Sequence, residues 1–321
     1  MTTTDRPLTA QELATQPACW RRAAGSAAQA APVLPQRGER VAVVGCGTSW
    51  FMAQAYAALR EAAGHGETDA FAASEFPAGR RYDRVLAITR SGTTTEVLTL
   101  LGRLRGAVPG TALTADPATP VRQAADQLVV LDFADERSVV QTRFATTALA
   151  LLRAHLETEG ALAPGVRSVA RAAADADRAL AAPLPAGLLD VEQLTFLGTG
   201  WTTGLALEAG LKLREAAGAW TEAYPAMEYR HGPIAITAPG RATWMFGTLP
   251  AGLAEDVART GGLLVADSPD GSRDDSGAGG PDGGLDPMAD LVRAQRLAVA
   301  LAGARGLDPD RPRALTRSVQ L

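Results

Sequence analysis

Two stretches of this 321-residue chain share one pattern: Val41-Ala42-Val43-Val44-Gly45-Cys46-Gly47 and Leu194-Thr195-Phe196-Leu197-Gly198-Thr199-Gly200. Each is a strand-length apolar run closed by Gly-x-Gly, and each leads into a helix-forming segment. A continuous apolar run of that length reads as a strand buried on both faces. Such strands belong to parallel sheets covered by helices on both sides, which places the chain among α/β proteins. The weak internal repeat implies two similar α/β domains, each a flavodoxin-like three-layer unit.

The remaining segments fit that frame. A helical arm is expected over 8–30 with a break at Pro17, and strands over 40–45, 70–76, 84–88, 111–114 and 127–132. Helices are expected over 51–63, from Val97 onward, over 142–157 and over 166–180. In the second half a long helix follows Gly200, then a loop ending in Arg230-His231-Gly232-Pro233, strands over 242–247 and 262–266, and a helix over 288–303. These elements divide the chain into an arm (1–34), a first domain (35–163), a helical linker (164–190) and a second domain (191–321). Residues 268–286 are polar, glycine-rich and of low complexity, the composition of a mobile surface loop.

Composition excludes several function classes. Hydrophobic residues make up 46% and charged residues 21%, with a net charge of −4, so no nucleic-acid partner is expected. Cys19 and Cys46 form neither a disulfide framework nor a metal-ligand spacing. No stretch approaches the length of a membrane span, and the first residues lack an apolar signal core, so a cytoplasmic protein is expected. No GxxxxGK[ST] loop occurs, and neither Gly-x-Gly completes a dinucleotide fingerprint: Gly45-Cys46-Gly47 lacks the third glycine, and after Gly198-Thr199-Gly200 Thr203 stands in its place. No cofactor is expected.

Two segments carry chemistry. Thr89-Arg90-Ser91-Gly92-Thr93-Thr94-Thr95-Glu96 places five hydroxyl residues between a buried strand and a helix start. A helix N-terminus offers unpaired N–H groups and a positive dipole end, glycine allows close backbone approach, and hydroxyls add donors. One hydroxyl would suffice to cap the helix. Five at the carboxyl end of a parallel strand favour a phosphate site, which Thr48-Ser49 at the neighbouring strand end would share. In the second segment Glu208, Lys212 and Glu215 fall at i, i+4 and i+7 of one helix face, and Lys212 is the only lysine in the chain. By itself this stripe suits either a solvated face or a polar pocket with a carboxylate poised for proton transfer.

With Ser74-Glu75-Phe76, Glu228-Tyr229-Arg230-His231-Gly232-Pro233 and Pro312-Arg313-Ala314-Leu315-Thr316-Arg317-Ser318-Val319, these motifs occur in an order that resembles the tandem SIS (sugar isomerase) domain family. The likeness is to the isomerase half of glucosamine-6-phosphate synthase and to amino-sugar-phosphate isomerase/deaminases, and it spans nearly the whole chain. The resemblance implies two SIS domains in a homodimer that acts on a 6-phosphorylated amino sugar. It implies that Ser49, Thr89, Ser91 and Thr94, with the backbone at Arg90 and Gly92, bind the phosphate. It assigns Glu215 as the base between C1 and C2, His231 as the ring-opening group supplied by the neighbouring subunit, and Lys212 as a lysine of the site. Val139 and Gln141 match a sugar-contacting loop, with Gln141 replacing a smaller hydroxyl residue. Glu208 lies on the same helix face, within reach of the substrate site. Arg317 stands where synthase-like members carry an imine-forming lysine, and a permanently protonated guanidinium cannot serve there. Isomerisation or deamination is the expected outcome. Elimination of the C3 hydroxyl from an N-acetylated substrate is the alternative, and a non-catalytic sugar-phosphate sensor is the non-enzymatic one.

Overall fold

The computed structural model describes residues 6–77, 79–267 and 284–321. Helices α1 (Leu8–Leu13) and α2 (Gln16–Ala30) form the arm. The expected break falls at Ala14 and Thr15, whereas Pro17 sits in the first turn of α2, where its missing N–H costs nothing. Then follow β1 (Val41–Gly45), α3 (Thr48–Ala62), β2 (Thr68–Ala72), β3 (Arg84–Ile88), α4 (Thr95–Leu104), β4 (Gly110–Thr114), α5 (Val121–Ala124), β5 (Gln127–Val130) and α6 (Arg143–Thr158). The later part holds α7 (Val169–Ala181), β6 (Gln193–Gly198), α8 (Thr202–Ala217), β7 (Trp220–Pro225), α9 (Ala226–Tyr229), β8 (Arg241–Met245), α10 (Leu253–Thr260), β9 (Leu263–Val265) and α11 (Pro287–Ala304).

All strand pairs are parallel. The first sheet runs β2-β1-β3-β4-β5 and the second β7-β6-β8-β9, so in each the chain moves first one way and then the other from its opening strand. Two sequence expectations need correction. The strand placed at 70–76 ends at Ala72, the partner of Gly45, because β1 stops there and leaves Ala73–Glu75 nothing to pair with. The stretch read as a loop before His231 contains β7, which pairs with β6 along its length. The expected loop at 268–286 lies outside the described residues as far as 283. Asp286 is described and buried: it accepts a bond from Met288 N (2.9 Å) at the start of α11 and pairs with buried Arg153.

Strand alternation sorts side chains between two faces. Val41, Val43, Leu86 and Ile88 enter a central core, while Ala42, Val44, Val85 and Ala87 meet Val97, Leu100 and Leu101 of α4 on the other side. In the second sheet Phe196 and Trp244 face the central core, and Leu197 and Met245 face Leu253 and Val257 of α10. The central core is continuous, since residues of both sheets and of α2, α3, α6, α7, α8 and α11 belong to it. The repeat seen in the sequence has a steric basis. A Cβ on Gly45 would lie 2.7 Å from Ser49, and one on Gly198 would lie 2.4 Å from the Thr202 backbone, so both strands need glycine for the next helix to fold back. Gly204 plays a third such part: a Cβ there would meet Phe51 O at 2.5 Å, so α8 crosses α3 at backbone contact.

Below the first sheet His65 and His155 are buried edge-to-face, 6.1 Å between ring centroids, with all four ring nitrogens unpartnered in the described structure. Burial lowers both pKa values, that of His65 to about 4. A histidine held neutral contributes stability above its unfolded pKa near 6.5 and loses it as pH falls through the folded value. Thermal melts should therefore show the wild type losing stability between about pH 6.5 and 4. A His65→Leu variant should lose measurably less; parallel curves for the two would contradict this assignment.

Candidate active site

The site lies where the β1/β3 order of the first sheet reverses, the place where open parallel sheets bind ligands beyond their strand ends. A cavity of about 210 Å³ opens there. Cys46–Ser49 form one wall after β1, and Thr89, Arg90, Ser91 and Thr94 form another after β3. Val139 and Gln141 close a third side, and Glu215 reaches in from α8. Thus nine of the residues singled out from the sequence line one cavity: Ser49, Thr89, Arg90, Ser91, Thr94, Val139, Gln141, Glu215 and Arg317.

Two helix N-termini, those of α3 and α4, point at this space. Neither has a side-chain cap: Gly47 precedes α3, and Thr94 precedes α4 without a capping bond. The hydroxyls of the Thr89–Thr95 loop are therefore not used up in capping α4. Thr89 is buried with its Oγ1 unpartnered, as are Gln141 Oε1 and Glu96 Oε2 in the same lining. Ser91 Oγ accepts from Thr93 N (3.2 Å), which folds the loop into a tight turn. Gly92 sits outside the lining. At φ +62° a Cβ would strike Thr119 Oγ1 at 2.0 Å, so its glycine serves the packing of the loop on the segment before α5.

The Arg90 side chain turns away from the hydroxyls. It donates to Ser138 O (3.2 Å), Val139 O (3.3 Å) and Arg317 O (2.9 Å) and lies 3.8 Å from buried Glu136. Glu136 in turn accepts from Thr142 N (2.6 Å) and Arg143 N (2.7 Å) at the start of α6. Glu12 of α1 holds the same loop through Arg137 N (2.6 Å) and Ser138 N (3.2 Å). Glu12 and Glu136 position Val139 and Gln141, and no sequence motif marks either of them.

Residues 315–319 cover the cavity. The Arg317 guanidinium bonds Asp135 and the Glu136 carbonyl, so it anchors this segment rather than pointing at the hydroxyl cluster. Ser318 Oγ bonds Thr93 Oγ1 (2.9 Å), and Val319 O accepts from Thr95 N (3.2 Å).

The charged face of α8 is buried, not solvated. Lys212, 1% exposed, donates to Thr48 Oγ1 (2.9 Å), bonds Glu215 Oε2 and lies 3.5 Å from Glu208 Oε1. Glu208 is fully buried, with Lys212 as its ion partner. Burial, reinforced by the charge of Glu215 and opposed by Lys212, pushes its pKa up to about 8. Burial would lower the pKa of Lys212, but Glu208 and Glu215 outweigh it and raise the ammonium's pKa. Glu215 is the half-buried end of the trio and its only member in the cavity wall. His231 is exposed after α9 and does not line this cavity, so a single copy of the chain does not bring it to Glu215.

No family model matches the chain. By sequence it is similar to the glutamine–fructose-6-phosphate aminotransferase (isomerizing) of Gluconobacter oxydans, at 26% identity over 323 residues, covering 90% of this chain and 53% of the relative. The chain thus spans about half the length of the curated relatives it matches. Its fold matches the Thermotoga maritima glucosamine-6-phosphate deaminase, with a TM-score of 0.79, 22% identity, and 98% and 100% of the two chains covered. It also matches the C-terminal domain of the Francisella tularensis glucosamine-fructose-6-phosphate aminotransferase, with a TM-score of 0.75, 20% identity, and 97% and 100% covered. The chain is related by sequence to the aminotransferases and shares its fold with that C-terminal domain. Among the described residues no helix is long and apolar enough to cross a membrane, and no group of three or more His, Cys, Asp or Glu could hold a metal.

Proposed function

We propose that the chain is a phosphosugar isomerase or deaminase acting on a 6-phosphorylated amino sugar, with residues 35–163 and 191–321 as tandem SIS domains in a homodimer. One observation carries this reading: Glu215 and the hydroxyl cluster face the same cavity. The names of the sequence relative, a fructose-6-phosphate aminotransferase, and of two fold neighbours, a glucosamine-6-phosphate deaminase and a glucosamine-fructose-6-phosphate aminotransferase domain, support the substrate class.

The phosphate would sit at the N-termini of α3 and α4, bonded by Ser49, Thr89, Ser91 and Thr94. His231 of a second copy would protonate the ring oxygen and open the sugar, a task suited to a group titrating near neutrality. Glu215 would then remove the C2 proton, and Lys212 would offset the charge that develops on the adjacent oxygen. Reprotonation at C1 completes isomerisation. With a free amine, the resulting imine takes up water and releases ammonia, leaving the ketose phosphate. Arg317 cannot form an imine with a keto sugar, which makes transfer of ammonia through that position untenable.

Incubation with glucosamine 6-phosphate and, separately, its N-acetyl form tests this. Ammonia and a ketose phosphate should appear from the first; binding of both without turnover of either would overturn the enzymatic reading. Ser91→Ala should raise KM roughly tenfold with little change in kcat, because phosphate contacts persist through substrate and transition state alike. A fall in kcat alone would contradict that placement of Ser91.

A further inference from the structure

The cavity that holds the hydroxyl cluster has no cation to spare for an anion. Its ionisable lining is Cys46, Arg90, Glu96, Glu215 and Arg317. Both arginines are committed: Arg90 donates to backbone carbonyls and lies 3.8 Å from Glu136, and Arg317 bonds Asp135. Lys212 lies outside the lining, held by Thr48 and the two glutamates of α8. Two carboxylates remain. Glu215 belongs to the reacting end, whereas Glu96 stands in the first turn of α4, directly after the hydroxyl loop. Its Oε2 is buried and has no hydrogen-bond partner among the described residues. The wall after β1 feels its charge: burial first, and then Glu96, raise the pKa of the Cys46 thiol. The charged groups on the elements packed against α4, Glu75 in the turn after β2 and Arg122 on α5, are exposed, and Arg103 lies in the last turn of α4 itself.

We propose that Glu96 is a specificity residue that admits only an anionic ester able to bring a proton: its carboxylate accepts the P–OH of a monoanionic phosphate ester. This rests on the reading of the cavity as the phosphate site. A dianionic ester and an ionised carboxylate repel each other in so small a space, and two acids that share a site hold a proton between them. A phosphate ester, whose second proton leaves at about pH 6, can supply that proton, and its P–OH then donates to the bare Oε2 in a charge-assisted hydrogen bond. The remaining phosphate oxygens stay free to accept from the N-termini of α3 and α4 and from the hydroxyls. A sulfate ester has the same tetrahedral shape and a single negative charge but no proton to give, so it leaves Oε2 unpaired against an anion. An acid that served only to offset the α4 dipole would make no such distinction.

The test measures dissociation constants between about pH 6 and pH 8 for 2-amino-2-deoxyglucitol 6-phosphate and the corresponding 6-sulfate. Both are open-chain alcohols without a carbonyl, so neither can turn over, and both carry the same amine, so a difference between them reports the ester. In the wild type the phosphate should lose roughly tenfold in affinity relative to the sulfate from about pH 7 to pH 8, because binding takes up one proton. At about pH 6 the sulfate should bind roughly tenfold more weakly than the phosphate. Glu96→Gln should flatten the pH dependence of phosphate binding and strengthen sulfate binding roughly tenfold, since an amide can donate to an oxygen that carries no proton. A wild-type phosphate affinity that does not fall relative to the sulfate's as pH rises, or equal binding of the two esters at about pH 6, overturns this inference without recourse to the variant. An unchanged pH slope in a folded Glu96→Gln protein overturns it as well. Failure of the wild type to bind the phosphate compound at any pH overturns the phosphate-site reading, and this inference with it.

Discussion

Glu215→Gln should reduce turnover of glucosamine 6-phosphate by roughly a thousandfold while its affinity changes by no more than a few fold. The substitution keeps the size of the side chain and its bond to Lys212, so α8 and the cavity wall should be undisturbed. What it removes is the only carboxylate of the buried trio that reaches the cavity. An amide cannot accept the C2 proton, so the loss should fall on kcat. Solvent-deuterium incorporation at the transferred position should vanish in parallel. Turnover within a few fold of wild type would remove Glu215 from the role of base.

Lys212→Met should be the most destabilising single change on α8. The ammonium is the only cation beside Glu208 and Glu215 on that helix face and also bonds Thr48 at the start of α3. Removing one partner of a buried pair strands the other, at a cost of about 3–5 kcal/mol. The cost should depend on pH in a definite direction. Glu208, with its pKa raised to about 8 by burial, binds a proton in the folded state that the unfolded chain has released above about pH 4.5. Stability from this group therefore falls as pH rises through that window, and without Lys212 the fall should steepen. Denaturant titrations should show a larger deficit at pH 8.5 than at pH 5, and adding Glu208→Gln to the variant should recover part of it. A deficit independent of pH would mean that Lys212 acts by packing alone.

Much of the fold was legible because its strands are short β-branched or apolar runs, such as Val41–Gly45 and Arg84–Ile88, each closed by turn residues. The strand Trp220–Pro225 was missed because it is an edge strand: Glu222 and Tyr224 dilute the apolar signal, and Pro225 reads as a loop residue. Helix α10, Leu253–Thr260, has only 8 residues and buries only Leu253 and Val257, too short an apolar face to stand out. In the candidate site, the hydroxyl loop and the Glu208-Lys212-Glu215 spacing could be read directly, since local chain geometry dictates both. The spacing could not say whether the charged stripe faced solvent; that depended on α3 packing over it. The sequence resemblance implies ligand contacts for the Arg90 backbone and for Arg317; in the structure the two guanidinium groups bond the 135–139 loop and the 315–319 segment. Glu12 acts through contacts distant in the chain, and Glu136 links distant Arg90 to the start of α6, so no local pattern announces either role.

The absence of any side chain at Gly204 has a kinetic corollary. With α8 lying directly on the backbone of α3, the carboxyl group and the hydroxyl-bearing rim are parts of one stiff body, although they are carried by different sheets. Under the proposed function, entry and exit of a sugar would then not proceed by those two halves swinging apart; residues 315–319, which are tied to Thr93, Thr95 and Asp135, would have to give way instead.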